Sequence, residues 1–277
     1  MALDLPTTLS PSKVSAFTDC ALAFRFSAIN RIPQPPTIAT VKGTFVHSTL
    51  ERLLALPADA RDLDAAFDCQ RTARTELVDD PEWIELALDD DAIAQFDRDA
   101  DELLRRYFTI EDPRAVEPVG LEMHVEYHLD DIHLRGIIDR LETGPDGELI
   151  ISDYKTGKAP PPAYQQSRFT GLHFYAYLCE KVVGRAPAKV QLLFLGTPAI
   201  VEAASTEQTR RQTERKLRSI WQAIETACER EDFRPKKSKL CDWCTYREWC
   251  PAFGGDPAAA PVFPTQGRAD GTTPPLP

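Results

Sequence analysis

A chain of 277 residues with 43% apolar content can build one large domain or two small ones around a real core. Its formal net charge of -11 lacks the overall basic footprint of a nucleic-acid binder, yet the acidity is local: residues 59–112 hold 18 Asp and Glu against 6 Lys and Arg, leaving about +1 for the remainder. No run of about 18 apolar residues occurs and the N-terminus MALDLPTTLSPSK lacks the basic-then-apolar layout of a secretory signal, so a cytoplasmic protein without a membrane partner is expected.

Ser10-Pro11 starts a first helix, with Ser as cap, Pro at the first helical position, and Val14, Phe17 and Ala21 at helical spacing; Cys20 falls at its end. Three prolines between Asn30 and Pro36 make a loop. A second helix beginning near Thr40 to Thr44 puts Val46, Leu50, Leu53 and Leu54 on an apolar stripe and leaves His47 and Glu51, four apart, on another. Residues 57–112 read as an acidic helical insertion that breaks near Asp79-Asp80-Pro81, a solvated outer face in the simplest view.

From Val119 to Leu129 the pattern alternates, Val119, Leu121, Met123, Val125, Tyr127 and Leu129 against Glu122, His124, Glu126 and His128, which is a half-buried strand. Asp130-Asp131 turns the chain into a second strand, 132–141, carrying Asp139. Gly144-Pro145-Asp146-Gly147 turns it again, into a strand ending Asp153-Tyr154-Lys155, so the three strands form a meander. Alternation sets Asp153 and Lys155 on one face, with Asp139 on the adjacent strand. Two carboxylates and an ammonium together offer hard oxygens for a divalent cation and a positive group for charge developing on a phosphate.

Pro160-Pro161-Pro162 ends that strand, and 163–183 follows as a helix with Phe174, Tyr175 and Tyr177. Lys189 to Leu195 suits a buried central strand. Ser205-x-x-Gln208 has capping-box form before an amphipathic helix carrying Leu217, Ile220, Trp221, Ile224 and Cys228. The segment 235–253 carries Cys241-x-x-Cys244 and Cys250, and a Gly-, Ala- and Pro-rich tail, expected to be disordered, runs over 254–277.

Seven cysteines in such a chain point to metal ligands or buried thiols rather than a disulfide framework. Cys241, Cys244 and Cys250 supply three thiolates, and Cys20 is the candidate fourth; Cys69, Cys179 and Cys228 lie on helical stripes as small core residues. Four thiolates suit structural zinc or an iron-sulfur cluster, and local spacing does not separate the two. Either way, Cys20 joined to 241–250 would staple the N- and C-terminal regions together.

Taken in order, SPSKVSAFTDCALAFRF with Cys20, GTFVHSTLE with His47, GIIDRLE with Asp139, ISDYKTGK with Asp153 and Lys155, and the three later cysteines resemble the RecB-like exonuclease branch of the PD-(D/E)XK nuclease superfamily. The likeness is greatest to members with an AddB-type four-cysteine iron-sulfur staple, and CRISPR-associated RecB-like nucleases share the arrangement. It implies an α/β fold with a restriction-endonuclease-like core, a mixed central sheet flanked by helices, and a single nuclease domain over 1–253. It also implies Mg2+ or Mn2+ held by His47, Asp139, Asp153 and the Tyr154 carbonyl, with Lys155 acting on the attacked phosphate or its water. Glu51 either orients His47 or is solvated. A [4Fe-4S] cluster, or zinc, would occupy Cys20, Cys241, Cys244 and Cys250.

The implied activity is exonucleolytic cleavage of DNA, at single-stranded ends or flaps, in repair or recombination. No GxxxxGK[ST] motif is present, so strand separation would fall to a helicase or recombination partner. One departure stands out. Relatives carry a Gln four residues before the catalytic Tyr; here Tyr175 is present, Gly171 occupies the Gln position, and Gln165 and Gln166 lie farther upstream. A non-catalytic DNA-binding or scaffold module of the same fold is the alternative that this departure leaves open.

Overall fold

A computed structural model describes residues 3–264, the side chains of 166–168 excepted. The described residues pack as two compact units, one made of residues 7–15 and 35–221 and the other of residues 3–6, 16–34 and 222–264.

The larger unit is built on a five-stranded sheet in the order β1-β2-β3-β4-β5. Strands β1 (Glu117–Leu129), β2 (Ile132–Thr143) and β3 (Leu149–Lys155) form the expected antiparallel meander. Strand β4 (Lys189–Phe194) runs parallel to β3, which a crossover helix makes possible, and β5 (Ala199–Ala204) returns antiparallel to β4. The sheet is therefore mixed, and with helices packed against it the fold is the restriction-endonuclease-like α/β arrangement. β4 is the buried strand its apolar run predicts. β5 follows directly after the Gly196-Thr197-Pro198 turn and has no counterpart in the sequence reading.

Before the sheet come helices α1 (Pro11–Asp19), α2 (Ala21–Phe24), α3 (Ile38–Ala55), α4 (Leu63–Leu77), α5 (Pro81–Glu85) and α6 (Asp90–Ile110). Thr37 caps α3 through a reciprocal bond with Thr40, so the helix begins at Ile38, two residues before the expected start. The predicted stripe holds: Val46, Leu50, Leu53 and Leu54 are all buried, in one core with Phe96, Leu104 and Tyr107 of α6, and with Tyr154 and Leu193 of the sheet. The acidic segment is α4 to α6, and its aspartates do local work as helix caps: Asp62, Asp80 and Asp89 each accept a bond from a first-turn amide. Helix α7 (Pro162–Val183) packs against β1 to β4. Helix α8 (Glu207–Arg230) starts at Glu207, and the hydroxyl of Thr206 rather than Ser205 accepts the Thr209 amide at 3.1 Å, because Thr206 is the residue just outside the first turn.

The smaller unit combines both ends of the chain. The Leu3 amide donates to the Cys228 carbonyl at 3.1 Å, and the Phe263 amide to the Asn30 carbonyl at 2.8 Å. The buried Asn30 side chain in turn donates to the Pro261 carbonyl. Of the tail expected from Gly254, residues 254–264 thus make defined contacts, with a 3-10 turn at Pro257–Ala259, and 265–277 lie outside the described residues. Among the described residues no helix is long and apolar enough to cross a membrane.

Candidate active site

Two local facts bring the acidic hairpin and α3 together. The Arg140↔Ser152 pairing of β2 with β3, carried one residue further, sets Asp139 beside Asp153. Tyr154, buried in the α3 core, keeps both its backbone polar groups in the site: its amide donates to Asp139 Oδ2 at 3.0 Å, and its carbonyl accepts from His47 Nε2 at 3.0 Å. With Nε2 carrying that hydrogen, His47 Nδ1 faces Asp139 Oδ2 at 3.3 Å and Glu122 Oε1 at 3.8 Å. Ligand atoms of His47, Glu122 and Asp139 all lie within 4.8 Å of one another. A set of carboxylate oxygens plus one imidazole fits a hard or borderline divalent ion.

The electrostatics bear this out. Burial, followed by the Asp153 charge, lifts the Asp139 carboxyl to about 7. Burial draws the His47 imidazole down, but Glu122, Asp139 and Asp153 outweigh it and leave it raised. A half-buried concentration of negative charge of this kind favours a cation beside it. Asp153 is 7% exposed and lies outside the tight three-residue group; its Oδ2 accepts no well-aligned hydrogen bond and meets the Lys155 ammonium, whose side chain is 46% exposed. Lys155 therefore spans from a buried carboxylate to solvent, as the shared face predicts.

Tyr175 reaches the same place from α7. Burial, then the charges of Asp153, Asp139 and Glu122, raises its hydroxyl well above the phenol range. Gly136 explains the approach: a Cβ there would sit 2.6 Å from the Tyr175 ring. At Gly171 a Cβ would meet only Pro11, at 3.6 Å, so that position has room for a side chain it does not carry. Gln165 donates to the Pro160 carbonyl, and the Gln166 side chain is outside those described. Glu51 is drawn toward protonation by burial and by the Glu122 charge; the carboxylates facing His47 are those of Glu122 and Asp139.

Arg140, next to Asp139, is fully buried and turned into a polar network. It meets Glu111 through both nitrogens, Glu142 at 3.0 Å, the Tyr154 hydroxyl at 2.8 Å and Ser152 at 3.2 Å, while Gln191 bonds Glu142 and Ser152. The ring of Tyr154 is thereby held at its far end while its backbone serves the site.

In the smaller unit, Cys20, Cys241, Cys244 and Cys250 line one apolar cavity with Leu22, Phe26 and Tyr246. Amides of Lys236 and Ser238 donate to the sulfurs of Cys20 and Cys241 at 3.4 and 3.5 Å, and burial, together with the other three thiols, raises the Cys244 thiol. Among the described residues no three of these sulfurs come within 4.8 Å of one another. Cys179 and Cys228 are buried, each pushed up to about 11 by burial, and Cys69 is partly buried against the α3 core, as small core residues should be.

The profile of the PD-(D/E)XK nuclease superfamily matches residues 8–251. The chain belongs to this superfamily. The gene 69 protein of Mycobacterium phage D29 is 25% identical over 269 residues, 88% of this chain and 96% of that relative. A crystal structure of a Eubacterium rectale protein provisionally named an exonuclease is 12% identical, with a TM-score of 0.53 over 87% of this chain and 88% of that one, a likeness of fold. The Asp153-Tyr154-Lys155 run has the D-x-K form in the superfamily's name, and Asp139, which follows Ile138 rather than a proline, precedes it on the neighbouring strand. Glu122 is the site residue that sequence reading missed; it appears there only as one of four outward polar residues of β1, and its position across from Asp139 is the signal that would have found it.

Proposed function

We propose that this nuclease is a divalent-metal-dependent deoxyribonuclease of the RecB-like type, acting on single-stranded DNA ends or flaps in repair or recombination. The observation that supports this best is the convergence of His47, Asp139, Asp153 and Lys155, with the Tyr154 backbone between them. His47, Asp139, Asp153 and the Tyr154 carbonyl would hold Mg2+ or Mn2+, which supplies Lewis-acid polarisation of the scissile phosphate and acidifies a bound water. Asp139 is kept oriented by the Tyr154 amide. His47 is fixed by the Tyr154 carbonyl. Lys155, anchored on Asp153 and open to solvent, presents its ammonium to the incoming phosphate and to the charge that develops on it. The Tyr175 hydroxyl, held protonated by its surroundings, is a hydrogen-bond donor to a phosphate oxygen.

Cys20, Cys241, Cys244 and Cys250 would carry a [4Fe-4S] cluster, or zinc in its place, as a staple of the smaller unit, a reading supported by the shared apolar cavity they line and by N–H donation to two of the sulfurs. Such a thiol set belongs in the reducing cytoplasm. The second reading, a non-catalytic DNA-binding module, rests on Gly171 in place of the family glutamine. Incubating anaerobically purified protein with single-stranded, duplex and flap DNA and either Mg2+ or Mn2+ separates them: progressive cleavage from single-stranded ends is expected, and binding without cleavage of any substrate selects the module.

A further inference from the structure

Five non-glycine residues among those described have left-handed backbone: Arg31, Ala87, Glu122, Asp130 and Glu231. Arg31, Ala87 and Glu231 follow helices, and Asp130 turns the β1–β2 hairpin. Such positions reverse the chain and accept positive φ as part of doing so. Glu122 alone lies inside a strand. At φ 41° it interrupts β1 between the pairs Leu121↔Arg140 and Met123↔Ile138, where the ladder asks for extended backbone and where glutamate, unlike glycine or asparagine, has no ease in that conformation. No turn is made there, so the strain has to be accounted for by where it sends the side chain.

It sends the carboxylate to the site. Glu122 Oε1 lies 3.8 Å from His47 Nδ1, within the 4.8 Å group that also contains Asp139, and a third carboxylate is thereby added to the partly buried Asp139 and the buried Asp153. Placing it there in the absence of a cation raises the repulsion among them. We infer that Glu122 is a metal-holding residue of this nuclease, and that its left-handed backbone is retained at a cost in stability because that backbone delivers the carboxylate to the ion. The inference rests on the metal-dependent reading of the site and adds to it a ligand outside the expected set of His47, Asp139, Asp153 and Tyr154.

The Glu122 carboxylate and the Glu122 backbone have separate readouts. Mn2+ uptake, measured by titration calorimetry on wild type, Glu122→Gln, Glu122→Ala and Glu122→Gly, reports the ligand; melting of the same proteins in chelator reports the backbone. All three variants should bind Mn2+ at least about tenfold more weakly than wild type. The glycine variant should melt a few degrees above the alanine variant, because only glycine accepts φ 41° without strain. Wild-type protein that takes up no Mn2+ overturns the metal-dependent reading itself. Wild type that binds while Glu122→Gln binds equally well overturns the ligand assignment alone, and a glycine variant melting at or below the alanine variant overturns the strain argument.

Discussion

Replacing Asp139 by asparagine should stabilise the metal-free protein, and the size follows from the site. The Asp139 carboxyl, at 3.8 in the unfolded chain, stands at about 7 in the folded one, chiefly through burial and then the Asp153 charge. Between those values the folded protein holds a proton that the unfolded chain has released, so stability is fully present below pH 4 and is lost as pH rises toward and through 7. The neighbouring His47, also raised, loses its proton in the same direction, and the two titrate as a pair. A displacement of about three pH units corresponds to roughly 4 kcal/mol when the carboxylate is ionised. For a chain of this size that is on the order of 10 °C in melting temperature. The assay is a series of thermal melts in chelator from pH 5 to 8.5. Wild type should lose stability across that range more steeply than Asp139→Asn, which should melt higher at pH 8, and Mn2+ should restore wild type but not the variant. An Asp139→Asn protein that melts no higher than wild type at pH 8 without metal refutes the reasoning.

Further perturbations probe the supports of the site. Cys250→Ser should lower melting temperature and solubility more than it changes cleavage per folded molecule; unchanged melting would count against a structural staple. Gly136→Ala pushes a methyl into the Tyr175 ring and should cost about 1–3 kcal/mol in urea unfolding, a loss that Tyr175→Ala in the same chain relieves. Arg140→Met leaves Glu111 and Glu142 facing one another without their buried partner and should cost about 3–5 kcal/mol, read in the same denaturation experiment.

Much of the site is legible in the sequence because strand alternation and helix spacing are strictly local. The hairpin from Gly136 to Lys158 puts Asp139, Asp153 and Lys155 together whatever surrounds it, and the stripe of Val46, Leu50, Leu53 and Leu54 fixes which side of α3 is left for His47. Glu122 escapes that logic. Alternation marks it as one more outward residue, and the left-handed backbone that distinguishes it leaves no sign in the pattern of apolar and polar positions. Arg140 escapes for a related reason: beside Asp139 in sequence it suggests a strand-end ion pair, whereas the pleat sends it into Glu111, Glu142 and Tyr154. Strand β5, AIVEAA, is half alanine and shows neither the apolar run of β4 nor an apolar–polar alternation, and it pairs along its whole length with β4. That segments from both ends of the chain meet in one unit is foreshadowed only by the cysteine spacing.

The central claim is that the carboxylates and Lys155 form a metal-dependent nuclease site. The most direct measurement compares degradation of end-labelled single-stranded DNA by wild type, Asp153→Ala and Lys155→Ala, with Mn2+ and with chelator. The account predicts shortening of the strand by wild type with Mn2+ alone and its loss in both variants; cleavage that persists in chelator or in Asp153→Ala contradicts it.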